Sequence, residues 1–341
     1  MISHKLAATG LALAFALPLM SETAMACSRV LWNSNDQANV VARTMDLYMS
    51  DEGEFVVSPR GIARDGMTGD DNAMTWSSKY GASTITAFGI AATDGLNEAG
   101  LAANLLYLTG SEYGERDESL PGVSNVMLAQ YALDNFGTVD EALEGLASIQ
   151  VVATEVAGRA WPLHLSLADA SGDSAVIEFI DGEMVVHHGR DVTVMTNEPT
   201  YEEQLANLTN YKPFGGELSL PGDIDPLSRF VRASTYLETL PEPENVQEAV
   251  AGAYSVVRNV AVPFGAQDSS AGDAEDTWST LWFTLADTTN LTYFFQSTQS
   301  PNLYWVDFEN VDLSEGAPVL KVDAYDYTLS GEISERLEPA S

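Results

Sequence analysis

From residue 28 onward the chain is dominated by short runs of β-branched and other apolar residues, broken by Gly, Asn and Asp. Residues 28–32, 40–45, 54–58, 84–91 and 101–108 are each long enough for one strand, and their close spacing predicts antiparallel pairing. The period then changes. Residues 125–136 and 139–146 carry apolar side chains three and four apart, which predicts two helices, the second opened by Thr138 and Glu141 as a capping box. Strand patterns return at 149–154, 163–168, 175–180, 184–188 and 192–196, with Asp181-Gly182 as a hairpin turn. Helical spacing at 201–208, 227–240 and 246–257 is followed by strands at 277–286, 291–296, 304–308 and 320–322. Strands, helices, strands, helices, strands is the order of a layered α+β protein. No repeat, low-complexity tract or interdomain linker interrupts it, so residues 27–341 read as a single domain. The loosest stretch, 265–276, is small and acidic, and reads as a surface loop or an active-site flap.

The first 26 residues follow a different pattern. His4 and Lys5 precede an apolar run from Leu6 to Met20 broken by Pro18, and the segment ends Ala24-Met25-Ala26. This is the layout of a secretory signal cut after Ala26. The run is shorter than the ~20 residues a bilayer requires, and no later stretch qualifies. The expected product is exported, periplasmic or secreted, and begins at Cys27. Cys27 is the only cysteine, so no intrachain disulfide can form. Three readings are open. Cleavage exposes an N-terminal nucleophile whose own α-amine takes the thiol proton; or Cys27 is a lipid anchor, although Ala24 stands where such anchors carry a bulky aliphatic residue; or the cysteine is incidental.

Composition narrows the chemistry. The 341 residues are 45% hydrophobic, which excludes a disordered chain, and 50 acidic against 15 basic side chains give a net charge of −35. That charge repels phosphate backbones and excludes a nucleic-acid partner, while suiting solubility or saline surroundings. It also weighs against anionic substrates at a distance, unless local arginines override the field. Only four histidines occur, and His4 lies in the leader. His187 and His188 are adjacent on a predicted strand and face opposite ways, so no metal-ligand pair or Ser-His-Asp triad is in view. No glycine-rich nucleotide fingerprint follows a strand. What remains is Cys27 with polar partners. Arg43 and Asp46 interrupt an otherwise apolar strand, either as a structural ion pair or to lower the thiol pKa and hold the terminal amine.

Five blocks in fixed order then carry a resemblance. Cys27 at a processed terminus, Arg43-Thr44-Met45-Asp46, the stretch Asp94 to Leu101, Thr196-Asn197-Glu198-Pro199-Thr200-Tyr201, and Leu220-Pro221-Gly222-Asp223 leading to Ser228-Arg229-Phe230 together resemble the choloylglycine hydrolase family of penicillin V acylases and conjugated bile salt hydrolases. The resemblance covers essentially all of 27–341 and implies the four-layer αββα sandwich of the N-terminal-nucleophile hydrolases. It implies that Cys27 attacks an amide carbonyl, that Arg43 and Asp46 tune and place the terminus, and that Asn197 donates to the oxyanion. It further implies that Arg229 completes the network and that the backbone amide of Tyr107 is a second oxyanion donor. Read alone, Asn197 is a cap for the helix near Tyr201 and Arg229 a surface arginine. Asn97 and Gly100 read as turn-formers.

No metal or organic cofactor is implied. Family substrates are small N-acyl amides: phenoxyacetylated penicillin, conjugated bile acids and, in Gram-negative members, N-acyl homoserine lactones. The export signal and the short path from Asn197 to Arg229 place the chain nearer the Gram-negative type. Homotetramers, common in the family, are an assembly the resemblance leaves open. Leu47, Tyr48, Tyr80 and Tyr107 are candidates for an acyl pocket, although such residues are more often core. The competing class is a lipid-anchored binding protein with a degenerate acylase fold.

Overall fold

A computed structural model describes residues 27–156, 158–267 and 278–340. The expected leader, and all but the first three positions of the 265–276 segment, lie outside the described residues.

Strand Val40–Asp46 is buried along its whole length because the helix over Val246–Val260 packs on one face and a second sheet on the other, while its edges pair with strands Ser28–Trp32 and Thr280–Asp287. These three lie within a seven-stranded sheet that runs Val194–Met195, Ser28–Trp32, Val40–Asp46, Thr280–Asp287, Thr292–Ser297, Tyr304–Asp307, Gly331–Glu332. All its pairings are antiparallel except the last. The second sheet runs Glu183–His188, Ser174–Ile180, Leu163–Ala168, Ala102–Tyr107, Ala91–Asn97, Ala82–Ala87, Glu54–Ser58, Leu320–Asp323, Glu338–Pro339.

Helices α1 (Leu128–Asn135) and α2 (Val139–Leu146) pack on the outer face of the second sheet through Leu128, Leu133, Val139 and Leu146. Helices α4 (Pro226–Glu238) and α5 (Val246–Val260) cover the outer face of the first, with α3 (Tyr201–Leu208) against α4. The result is the expected αββα sandwich, each apolar face being buried by the next layer.

The predicted strand at 84–91 straddles a hairpin. Phe88 and Gly89, with φ of 54° and 65°, form the tight turn between Ala82–Ala87 and Ala91–Asn97. The following Asp94-Gly95 is therefore strand interior. A Cβ on Gly95 would lie 2.8 Å from both the Ser83 carbonyl oxygen and Leu133 of α1, so glycine lets the helix settle on the sheet. Asn97 and Gly100 do shape a turn: Asn97 Oδ1 accepts from the backbone nitrogens of Ala99 and Leu101, and Gly100 has φ of 88°. The predicted strands at 149–154 and 192–196 shrink to Gln150–Val152 and Val194–Met195. The hairpins Ala63–Asp65/Thr75–Ser77 and Glu155–Val156/Arg159–Ala160 are too short for any alternation to reveal them.

Buried polar bridges cross between the sheets, among them Arg29 of the first, which donates to Ser174 Oγ of the second at 3.1 Å. Arg43 of the first meets Asp94 of the second at 3.4 Å, both almost wholly buried. Asp94 also accepts from Asn104 Nδ2 at 2.6 Å and from the Tyr293 hydroxyl, while Asn104 Oδ1 accepts from Ser166 Oγ at 3.1 Å. Buried charge is tolerated when ion pairing and hydrogen bonds offset its desolvation, and here they do so with Arg43 Nε left without an acceptor among the described residues.

The contact of α5 with the sheet gives a test. A Cβ on Gly252 would come within 2.4 Å of the buried Trp32 ring, at the end of the strand that starts beside Cys27. Gly252→Ala should therefore destabilise by about 1–3 kcal/mol, despite alanine's higher helix propensity. Denaturant midpoints would show it, and a more stable variant would contradict the packing described.

Candidate active site

Strand register assembles the site. Ser28–Trp32 pairs with Val194–Met195 through Arg29 opposite Met195, so two further steps set Asn197 opposite Cys27. On its other edge Ser28 faces Thr44, which leaves Cys27 beside the end of the strand carrying Asp46. Cys27 is only 4% exposed and its Sγ lies 3.9 Å from the Asp46 carbonyl oxygen.

The Cys27 backbone nitrogen donates to Asn197 Oδ1 at 2.5 Å, while Asn197 Nδ2 donates to the Tyr107 carbonyl at 2.8 Å. Arg229 enters from α4 and donates through Nη1 to the Cys27 carbonyl (2.5 Å) and Ser28 Oγ (2.7 Å), and through Nη2 to Asn197 Oδ1 (2.9 Å). It is fully buried rather than a surface arginine, and Thr200, not Asn197, is the cap of α3. Asp225 and Pro226 start α4, one turn ahead of Arg229. From the opposite side Arg43 stacks over the Trp282 ring at 5.1 Å and donates to the Thr93 carbonyl at 2.9 Å. The Asp46 carboxylate accepts from Thr44 Oγ1 at 3.2 Å and from Thr280 Oγ1. All five residues expected to carry the chemistry thus converge.

The electrostatics differ from the expectation in one respect. Burial pushes the Cys27 thiol above its ordinary pKa; Arg43 and Arg229 pull it down, but desolvation prevails. A thiol held neutral at rest can serve as a nucleophile only with a base beside it. Burial also raises the Asp46 carboxyl to about 7, against the pull of Arg229, its hydrogen bonds to Thr280 and Thr44, and Arg43.

Cys27 opens onto an apolar pocket walled by Met45, Leu47, Phe88, Ile90, Val126, Val156, Trp161 and Leu163, with Tyr107 beside Asn197. Leu47 and Tyr107 line it as expected. Tyr48 instead borders a neighbouring open cleft that meets the pocket at Leu47. Tyr80 is not in either. Its backbone nitrogen bonds the Asp134 carbonyl near the end of α1 and its hydroxyl lies against Gly137, which draws it into the helical layer outside the second sheet. Phe88, Val156 and Trp161 escaped sequence reading because a hairpin turn and a two-strand flap deliver them. One trio of possible metal ligands occurs among the described residues, Asp140, Asp173 and His188; Asp140 is largely exposed and His188 already lies 2.7 Å from Asp173.

A layered αββα sandwich with a cysteine at the head of an interior strand and an apolar pocket beneath it is the architecture of N-terminal-nucleophile amide hydrolases. The chain belongs to the choloylglycine hydrolase family of linear amide C–N hydrolases, whose family model matches residues 27–327. It is 38% identical to a penicillin V acylase of Pectobacterium atrosepticum, over 95% of this chain and 93% of that one. It is 26% identical to a bile salt hydrolase/transferase of Bifidobacterium longum, over 81% and 93%. Among solved structures, penicillin V acylase from Agrobacterium tumefaciens superimposes with a TM-score of 0.83 at 41% identity, covering 92% of this chain and 98% of that one. A variant of conjugated bile acid hydrolase from Clostridium perfringens shares the fold at 21% identity and a TM-score of 0.74, over 89% and 98%.

The raised Asp46 pKa has a testable sign. Between pH ~4, near the unfolded value, and pH 7, the folded chain keeps a proton that the unfolded chain has lost, so this group makes folding progressively less favourable as pH rises. Asp46→Asn removes the effect. The melting temperature of the variant relative to the original should rise by several degrees from pH 4 to pH 7.5, and a pH-independent difference would contradict the assignment.

Proposed function

We propose that the chain is an exported amidohydrolase of penicillin V acylase type that cleaves linear N-acyl amides through Cys27, and that it also accepts N-acyl homoserine lactones. The observation that carries this reading is the buried Cys27, its nitrogen bonded to Asn197, between Arg43 and Asp46 at the head of an apolar pocket. The aliphatic and aromatic walls suit an alkyl chain or a single flat ring as the acyl group. The family relation to penicillin V acylases supports the reaction class.

After removal of residues 1–26, in the periplasm, the Cys27 nitrogen becomes an amine. It takes the thiol proton as sulfur attacks the amide carbonyl, and Arg43 stabilises the developing thiolate. Asn197 Nδ2 has two N–H bonds and directs only one to Tyr107, leaving the other for the oxyanion together with the Tyr107 backbone amide. The amine returns its proton to the leaving nitrogen as the C–N bond breaks. An acyl thioester remains on Cys27, and water activated by the same amine releases the acid. No step calls for a metal or organic cofactor. Arg229 and Asp46 fix the terminus rather than touch the reacting atoms.

The lipid-anchor reading fares less well, because a lipidated sulfur would have to leave a pocket in which Cys27 is nearly enclosed. Conjugated bile salt hydrolysis is the competing activity, and release of amine from a panel of phenoxyacetyl, acyl homoserine lactone and bile salt substrates separates the two.

Cys27→Ala should abolish hydrolysis in correctly processed, folded protein. One extra residue retained before Cys27 should do the same, since it turns the amine into an amide that cannot act as base. Full activity in either would contradict the mechanism. Asn197→Ala should lower kcat by roughly 10²- to 10³-fold. A change confined to KM would reassign Asn197 to ground-state binding.

A further inference from the structure

A second arginine-centred cluster stands at the rim of the pocket. Arg159 lies on the short hairpin Glu155–Val156/Arg159–Ala160. Its guanidinium carbon is 5.2 Å from the Tyr48 ring centroid, 5.2 Å from that of Trp161 and 6.0 Å from that of Trp278, and its Nη1 donates to the Tyr48 hydroxyl. Tyr48 and Trp278 stack on each other with centroids 4.8 Å apart. The cluster sits where the two cavities meet: Trp161 and Val156 wall the acyl pocket, Tyr48 borders the open cleft, and Leu47 lines both.

Two features of the cluster point to a ligand. Among the described residues no carboxylate pairs with Arg159, in a chain where acidic side chains outnumber basic ones by more than three to one. Glu54, the acid of the adjoining cleft with a cationic partner, is held by Lys321 at 2.6 Å. Beside Arg159, the Trp278 indole Nε1–H is buried and, among the described residues, has no hydrogen-bond acceptor, Trp278 being only 5% exposed. A guanidinium that, among the described residues, bonds the Tyr48 hydroxyl but no carboxylate, and an indole donor without an acceptor, share one aromatic setting that suits an anionic acceptor.

We propose that Arg159, with Trp278 Nε1, is the specificity-determining anchor for a carboxylate on the leaving-group side of the substrate. The inference rests on the acylase reading above. With the acyl group in the closed apolar pocket and its carbonyl at Cys27, the amine half must lie toward the rim. The three rings hold the guanidinium stem in place and lower its exposure to water, so that a carboxylate meets a fixed, partly desolvated donor. This local cation acts on bound substrate, whereas the overall charge of −35 acts on approach. An anionic leaving group is therefore accepted by a protein whose surface field opposes it.

The test is a matched pair with one acyl group: phenoxyacetyl-glycine, which carries a carboxylate, and phenoxyacetyl-glycinamide, which does not. The quantity read is the ratio of kcat/KM for the acid to that for the amide. Arg159→Met keeps an apolar stem for the rings and removes the charge. It should lower the ratio by about 10- to 100-fold, chiefly through KM for the acid, as expected for loss of a hydrogen bond to a charged group. Arg159→Lys should restore part of the ratio. An unchanged ratio in Arg159→Met overturns the proposal, whatever happens to the absolute rates, and so does equal loss in the Met and Lys variants. Original protein that hydrolyses neither compound overturns the acylase reading itself.

Discussion

Charge taken out of water between the layers is the constraint on which this structure depends. Arg43, Asp46 and Arg229 are almost completely buried around Cys27, and each is tolerable only because neighbouring elements supply its hydrogen bonds. The partners of Arg43 and Asp46 come from both sheets, and Arg229 itself reaches the first sheet from α4. Satisfying them therefore fixes how strand Val40–Asp46 sits against the second sheet, how α4 docks, and where the strand from Val194 ends. The catalytic geometry and the packing of the sandwich are in this sense one problem with one solution.

In the proposed mechanism the same burial sets the chemistry. Desolvation keeps the thiol neutral in spite of two arginines, which protects a lone cysteine at rest and makes activation depend on an adjacent base. In a processed chain the nearest nitrogen is its own terminus, already aligned by Asn197. Asn197 holds this place by using both ends of its side-chain amide, accepting from Cys27 and Arg229 and donating to Tyr107. In the proposed reading substrate selection is built from other parts: an apolar pocket for the acyl group and a rim of aromatic rings around Arg159.

Much of this was legible in the sequence, for identifiable reasons. Strand Ser28–Trp32, strand Ser174–Ile180, α2 and α3 were readable because their apolar pattern is clean and their ends carry turn or cap residues such as Thr138, Asp181 and Gly182. Arg43 and Asp46 stood out as charges inside an apolar run, and the ordered blocks tied Asn197 and Arg229 to them. The boundary between Ala87 and Ala91 was lost because Phe88 adopts a positive φ that its residue type does not announce. Tyr80 looked like a pocket residue by proximity in sequence, but its backbone is tied to α1. Arg159 and Trp278 gave no signal, since an aromatic cluster assembled from residues 48, 159, 161 and 278 exists only after folding.

The central claim, that a processed Cys27 carries the acyl group, is most directly tested by mass spectrometry of protein quenched during turnover of a slow phenoxyacetyl amide. Peptide mapping should find a chain beginning at Cys27, with one phenoxyacetyl group on the peptide that contains it. A mature terminus elsewhere, or turnover with the acyl group found on another residue, would contradict the account.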